Sequence, residues 1–356
     1  MRVLFCIPTL AGGGAEGQLT LLSAGLEKLG WDVHVALFAG GPWERSMPPS
    51  VTLHRITIRG NHDPRSFIGT AGVMRRIKPS IVNTWLTQMD IVGGASARML
   101  GLPWVATERS CADAYPPSVK TTVRRLLVTR ADAIVANSDG GVDYWRPHRG
   151  TRALDRMIPN AVAIDASPEA RLPDGLELPP DVPVVVYVGR LNEGKNVGGL
   201  LDAVALALKE RDFVLLICGD GPLREQLEQH AAARGIASNV RFTGFICDVT
   251  SVIRAADAFV SLSTFEGMPN AVQEAMACGT PLVLSDMSAH RAVAADTARF
   301  ANGCDAAEVA RALVETLTDR AAACARAVAA KARAAMWTPD AIASAYDRLF
   351  AEVLAS

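Results

Sequence analysis

The sequence predicts an α/β protein built from two doubly wound domains, each a parallel sheet covered by helices. Three observations predict it. Short apolar runs alternate with amphipathic helical stretches along the chain, the pattern of βαβ units around parallel sheets. At about 150 residues per domain, 356 residues give roughly two domains, each large enough to bury its own core. The proline-rich run Leu172-Pro173-Asp174-Gly175-Leu176-Glu177-Leu178-Pro179-Pro180-Asp181 reads as an exposed link between them, because clustered prolines neither continue helices nor pair in sheets.

In the first half, strands are expected at Val3–Ile7, Val33–Leu37, Leu53–Ile56, Ile81–Thr84, Trp104–Thr107, Ala133–Ala136 and Arg156–Ile158. In the second half they fall near Val184–Val188, Val214–Cys218, Val240–Phe242, Ala258–Leu262 and Leu282–Leu284. The Ala- and Arg-rich segment 306–334 reads as long and helical, with its arginines on a solvated face. A last helix starts at Trp337-Thr338-Pro339-Asp340 and carries an apolar stripe of Ile342, Tyr346, Leu349, Phe350 and Val353.

Composition narrows the function classes. Hydrophobic content of 49% and charged content of 21% are ordinary for a folded α/β protein. The seven cysteines at 6, 111, 218, 247, 278, 304 and 324 form no Cys-x-x-Cys pair and have no nearby histidine cluster, which argues against zinc and against a disulfide framework and favours a reducing cytoplasm. Met1 to Pro8 reads as a first buried strand rather than a signal peptide, since Pro8 and Gly12 to Gly14 break the apolar run. No window approaches the ~20 apolar residues of a membrane span. The net charge of −1 and the lack of a recognised motif argue against nucleic acid. Charge is unevenly shared: residues 1–180 hold 20 Lys and Arg against 16 Asp and Glu. In that half Lys120, Arg124, Arg125 and Arg130 interleave with Val123, Leu126, Leu127 and Val128. That amphipathic basic helix reads either as a surface for anionic lipid or as a helix with its apolar side on the sheet.

The most informative stretch is Ser263-Thr264-Phe265-Glu266-Gly267-Met268-Pro269-Asn270-Ala271-Val272-Gln273-Glu274, followed by Ala275-Met276-Ala277-Cys278-Gly279-Thr280-Pro281. Proline is favoured at a first helical position, so a helix is expected from Pro269 to about Gly279, with Glu266 on its entry loop and Glu274 inside it. Neither Gly267 nor Met268 is a good capping residue. The first-turn N–H groups are therefore left for a ligand, and helix N-termini favour anions. The bland alternative is an acidic loop followed by a solvated helix glutamate.

This stretch resembles the nucleotide-sugar signature of retaining glycosyltransferase family 4, of GT-B fold. The same resemblance extends to Tyr187-Val188-Gly189-Arg190-Leu191 with Lys195-Asn196, to Ile217-Cys218-Gly219-Asp220-Gly221-Pro222 and to Val240-Arg241-Phe242-Thr243-Gly244-Phe245, in order and spacing. It implies two Rossmann-like domains facing each other across a cleft: an acceptor domain at 1–172, a donor domain at 173–337, and a last helix from about 338 to 356 crossing back onto the first. It implies that Arg190 and Lys195 neutralise the leaving diphosphate, that Glu266 sits against the transferred sugar, and that Glu274 accepts from the ribose hydroxyls. Gly189, Asn196, Gly267, Met268, Pro269 and Asn270 would line the diphosphate, and Gly244, Phe245 and Ile246 the nucleobase. Phe245 is read equally well as plain core. Gly12-Gly13-Gly14-Ala15-Glu16 lacks the G-x-G-x-x-G spacing of a dinucleotide fingerprint and is more similar to the family's Gly-Gly loop, which places Gly13 and Gly14 near the donor.

One departure concerns histidines that many family members carry at two strand ends, where this chain has Asn83, Trp85, Glu108 and Arg109. Glu16, Trp85, Glu108 and Arg109 are therefore expected to contact sugar or acceptor. His62 and His290 read as surface histidines, not bases. With no Asp-x-Asp at a strand end, no metal and no cofactor are expected. The resemblance thus implies metal-independent, retaining transfer of a sugar from a nucleotide diphosphate sugar, UDP favoured and GDP second, to a glycan or lipid-linked hydroxyl, in the cytoplasm or at the inner face of the membrane. A nucleotide-sugar epimerase of the same fold and a non-catalytic nucleotide-binding scaffold are the alternatives.

Overall fold

The computed structural model describes every residue except Gly12, His62, 151–153, 164–168, 174–175, 177–180 and Cys247, and leaves out the side chain of Asp113. The chain forms two compact units, Met1–Ala161 with Trp337–Ser356, and Val162–Met336. Most of the expected proline-rich link lies outside the described residues.

The first unit runs β1 (Arg2–Cys6), α1 (Gly14–Lys28), β2 (Asp32–Leu37), β3 (Thr52–Arg55), α2 (Arg65–Ile77), β4 (Ile81–Trp85), α3 (Leu86–Met99), β5 (Trp104–Glu108), α4 (Val119–Val128), β6 (Ala133–Ala136), α5 (Asp139–Arg149) and β7 (Arg156–Met157). Its strands pair in parallel in the order β3-β2-β1-β4-β5-β6-β7. Because successive strand residues point to opposite faces, Val3, Phe5 and Ile7 enter one core while Leu4 and Cys6 enter the other.

The second unit runs β8 (Val184–Val188), α6 (Val197–Ala207), β9 (Val214–Cys218), α7 (Arg224–Ala233), β10 (Val240–Gly244), α8 (Val249–Ala255), β11 (Ala258–Ser261), α9 (Asn270–Cys278), β12 (Leu282–Ser285), α10 (Ser288–Ala294), β13 (Arg299–Ala301), α11 (Ala306–Thr318) and α12 (Arg320–Ala334). Its parallel order is β10-β9-β8-β11-β12-β13. The chain then forms α13 (Pro339–Ala355), which packs on α1 of the first unit. Thr338 caps it, its side chain accepting from the Ala341 N–H, and Pro339 occupies the first helical position. Ile342, Tyr346, Leu349, Phe350 and Val353 are all buried. The approach to α1 is so close that a Cβ on Gly25 would lie 2.5 Å from that of Ala343.

Four expectations are corrected. Strand β13 was not foreseen, being three residues long and opening on the exposed Arg299. Segment 306–334 is two helices, broken at Asp319, whose carboxylate caps the second by accepting from the Ala322 N–H at 3.0 Å. Pro269 precedes α9 in extended conformation instead of starting it. Arg124 is not solvated: it is 1% exposed and bridges Asp90 (2.7 Å) and Glu108 (2.9 Å).

That buried triad joins α3, α4 and β5. Burial pushes the Asp90 carboxyl up to about 6 against the pull of Arg124. Burial also works against the Arg124 charge, but Asp90 and Glu108 hold it firmly protonated. Removing one member of a buried pair leaves an uncompensated charge and costs about 3–5 kcal/mol. Arg124→Ala is therefore expected to lose that much stability in denaturant unfolding at neutral pH. Adding Asp90→Asn and Glu108→Gln should recover part of it; an Arg124→Ala loss under about 1 kcal/mol would show that water reaches the cluster.

Candidate active site

In the second unit the strand order reverses between β8 and β11, which pair directly at Val185 with Ala258 and Val186 with Phe259. In open parallel sheets such a reversal leaves a crevice at the strand C-termini, because the loops leaving the two strands diverge. The loop after β8 carries Gly189, Arg190 and Lys195. The loop after β11 carries Ser263 to Pro269 and feeds α9 with Glu274. The sheet thus brings together residues that lie about 75 positions apart in sequence.

The two loops are stitched. The Thr264 N–H donates to the Gly194 carbonyl at 2.9 Å. A Cβ on Gly194 would lie 2.7 Å from the Phe265 ring, so a larger residue would displace that ring. Lys195 forms an ion pair with Glu266, and the Ser263 hydroxyl donates to the same carboxylate oxygen at 2.8 Å. Both charged side chains remain partly open, at 27% and 16%. Arg190 is exposed, and its guanidinium has no hydrogen-bond or ion-pair partner among the described residues. Asn196 takes a left-handed conformation at the start of α6 and donates its amide to the Gly303 carbonyl at 2.9 Å.

Behind the Arg190 loop stand the glycines of Cys218-Gly219-Asp220-Gly221-Pro222. Gly219 has φ +148°, and a Cβ there would come within 1.9 Å of the Gly189 carbonyl oxygen. The Leu191 N–H donates to the Asp220 carbonyl at 3.0 Å. Their role is to let backbones nest, fixing where Arg190 leaves the sheet. Gly244 also takes a positive φ, and Phe245 beside it is 62% exposed, which removes its reading as core. Ile246 is half-buried.

Pro269 at the start of α9 makes no side-chain cap, and Gly267 and Pro269 are buried while Met268 and Asn270 are partly open. One turn into the helix, Glu274 is half-buried and has no hydrogen-bond or ion-pair partner among the described residues. Burial pushes its carboxyl up to about 7.

His290 is corrected: it is wholly buried, not a surface residue. Its Nδ1 lies 3.0 Å from the Ser285 hydroxyl and 3.1 Å from the Ser285 carbonyl, which places the proton on Nδ1. Burial lowers its pKa to about 4, so the ring is neutral. The Ser285 hydroxyl donates in turn to the Ser263 carbonyl at 2.8 Å, so His290 and Ser285 support the Glu266 loop from beneath. Sequence reading missed both, because a lone histidine at a helix start gives no sign of what it packs under. His62 lies outside the described residues.

The first unit treats its expected contacts differently. Glu16 is 7% exposed and folds back over the start of α1, where a Cβ on Gly13 would lie 2.6 Å from its carboxylate. Trp85 is fully buried and donates Nε1–H to Asn83 at 2.7 Å. Glu108 is fully buried too, accepting from the Arg109 and Ser110 N–H groups, Tyr115, Arg124 and Trp145 at 2.6–3.0 Å. Neither offers a surface to sugar or acceptor, so both act as scaffold. Arg109 is half-buried: its guanidinium lies over the Trp85 ring at 4.4 Å, one of its terminal nitrogens is buried, and burial works against its charge. Among the described residues no group of three or more His, Cys, Asp or Glu could hold a metal ion.

Residues 12–166 match Glycosyltransferase Family 4, and residues 169–334 match Glycosyl transferases group 1. The chain belongs to glycosyltransferase family 4. The lipopolysaccharide core biosynthesis glycosyltransferase LpsD of Rhizobium meliloti is 27% identical over 277 residues, 77% of this chain and 75% of that protein. The putative glycosyltransferase EpsF of Bacillus subtilis is 32% identical over 173 residues, and the 2-deoxystreptamine glucosyltransferase of Streptomyces kanamyceticus 30% over 213. Those two alignments span about half of the relatives' own lengths, 44% and 55%. Among solved structures, a sucrose-phosphate synthase from Thermosynechococcus elongatus superimposes with a TM-score of 0.85 at 21% identity, covering 99% of both chains. Anabaena Alr3699/HepE in complex with UDP-glucose gives 0.82 at 22% identity, covering 100% of this chain and 99% of that one. The fold is GT-B.

A carboxyl whose folded pKa is raised stabilises the native state below its unfolded pKa and loses that contribution as pH rises through the folded value. Glu274→Gln is therefore expected to melt higher than the parent at pH 8, the advantage closing as pH falls through about 7 toward 4.5. Thermal unfolding of both proteins across that range checks it. An advantage that does not change with pH would mean that Glu274 is not desolvated.

Proposed function

We propose that the chain is a retaining, metal-independent glycosyltransferase. It moves a sugar from a nucleotide diphosphate sugar to a hydroxyl of a glycan or lipid-linked sugar, in cell-surface polysaccharide or lipopolysaccharide synthesis. The observation that carries this reading is the grouping of Arg190, Lys195 and Glu266 on two loops at the strand-order reversal, with Glu274, which has no partner among the described residues, one turn into the helix that follows. A UDP-sugar donor is favoured, with a GDP-sugar second. The UDP and UDP-glucose complexes of HepE and the lipopolysaccharide core assignment of LpsD support the donor and the pathway class. We place the reaction in the cytoplasm, where such donors are available.

The division of labour follows from charge. Arg190 offers a planar fork to the diphosphate, unencumbered by an internal partner. Lys195 has three donors, of which one is held by Glu266, leaving the others for phosphate. As the glycosidic bond breaks, negative charge grows on the diphosphate, so both cations stabilise the transition state more than the bound donor. First-turn amides of α9 add backbone dipoles. Glu266, positioned by Ser263, faces the sugar, and Glu274 accepts from the ribose. The departing phosphate oxygen takes the acceptor proton.

Arg190→Ala removes one charge-stabilising donor, and turnover is expected to fall by roughly two to three orders of magnitude. Folding should be unchanged, since the side chain is exposed and unpaired. Wild-type turnover at saturating donor would overturn the diphosphate assignment.

The two glutamates should separate. Glu274→Ala is expected to weaken both free nucleoside diphosphate and full donor, whereas Glu266→Gln should leave nucleoside diphosphate affinity near the parent's and cut transfer. Calorimetry with both ligands and a transfer assay decide this, and equal loss of nucleoside diphosphate affinity in the two variants would refute it. Activity should also survive EDTA, since the cations supply the neutralisation a divalent metal would give. Loss on chelation restored by magnesium or manganese would contradict that point, and conversion of the nucleotide sugar without acceptor would favour the epimerase.

A further inference from the structure

Helix α4 is turned inside out. A helix on a sheet ordinarily buries its apolar side and solvates its cations. Here Arg124 is buried beside Val128, fixed from two directions by Asp90 on α3 and Glu108 on β5. Those two bonds set the rotation of the helix. Residues 119, 123 and 126, spaced by four and three, then share the opposite face. Val119 is 82% exposed, Val123 38% and Leu126 58%. Rotating the helix to hide them would pull Arg124 away from two buried carboxylates, at a cost the stripe could not repay.

The flanks of the stripe are basic. Lys120 and Arg130 are exposed, Arg125 is half-buried, and no Asp or Glu lies between Asp113 and Asp132. Arg124, already neutralised by its carboxylates, adds nothing to this surface. An apolar ridge bordered by uncompensated cations is complementary to an anionic lipid headgroup layer, which accepts the side chains into its acyl boundary and the charges onto its phosphates. An acidic protein groove or a second copy would have to bury the same cations against carboxylates.

We propose that α4 is a docking element for an anionic bilayer, with Val119, Val123 and Leu126 entering the headgroup boundary and Lys120, Arg125 and Arg130 pairing with lipid phosphates. The proposal concerns the first unit and does not depend on the donor site of the second. A lipid-linked acceptor would be reached from such a surface.

The test is co-sedimentation of the full chain with vesicles of phosphatidylcholine alone and of phosphatidylcholine mixed with phosphatidylglycerol. The protein should pellet with the mixed vesicles, release with added salt, and stay in solution with phosphatidylcholine. Leu126→Asp should abolish pelleting. Lys120→Gln with Arg130→Gln should weaken it about 25-fold, since each cation near an anionic surface contributes roughly fivefold. Binding of UDP, measured in the same preparations, should be the same in all of them, which shows that the variants are folded and keeps the transferase reading separate. No pelleting of the parent, or equal pelleting of parent and Leu126→Asp, overturns the proposal. So does a concentration-dependent dimer that Leu126→Asp dissolves, because the stripe would then belong to a second copy.

Discussion

The direct parallel pairing of β8 with β11 is the constraint on which the candidate site depends. Neighbouring strands lie about 5 Å apart, so any two loops leaving their C-termini must share space. Here those loops carry Arg190, Lys195 and Glu266. The resulting contacts are Lys195 on Glu266, Ser263 on the same oxygen, and Gly194 under Phe265. A separate crowding, where β8 and β9 end, calls for Gly219 and Gly221, whose Cβ atoms would meet the backbones of Gly189 and Leu191. In the proposed reaction the donor's negative charge would meet groups already positioned, which would lower the reorganisation needed when the leaving group forms.

The two units use buried charge in opposite ways. In the first, Arg124, Asp90 and Glu108 satisfy one another almost completely, and the cluster acts as a rigid pin for α4 and for the end of β5. In the second, Glu274 is desolvated and left without donors. A satisfied cluster specifies structure; an unsatisfied carboxyl stores a stability cost that a ligand can relieve. That difference separates scaffold from site more clearly than residue type does, since both units place glutamates at strand or helix ends.

Much of the fold was legible because parallel strands buried on both faces read as plain apolar runs. Val184–Val188 and Ala133–Ala136 match the strands found there residue for residue. β13 escaped because three residues beginning with Arg299 carry no such run, and the break at Asp319 escaped because alanine-rich sequence favours helix on both sides of it. That the loops after β8 and β11 belong together was legible through motif spacing. What could not be read was the partner of each charge. Arg124 and Arg125 are adjacent and chemically identical in the sequence, and only the depth of Asp90 and Glu108 decides which one is drawn inside. For the same reason Glu108 and Trp85 looked like ligand contacts when they are core, and His290 looked solvated when it lies under the Glu266 loop.

The most direct test of the donor site is a crystal structure of the chain soaked with UDP. The diphosphate should lie against Arg190, Lys195 and the first-turn amides of α9, with the ribose hydroxyls donating to Glu274 and the base beside Gly244 and Phe245. A nucleotide bound instead at the Gly13-Gly14 turn of the first unit, or with Glu274 still unpartnered, would contradict it.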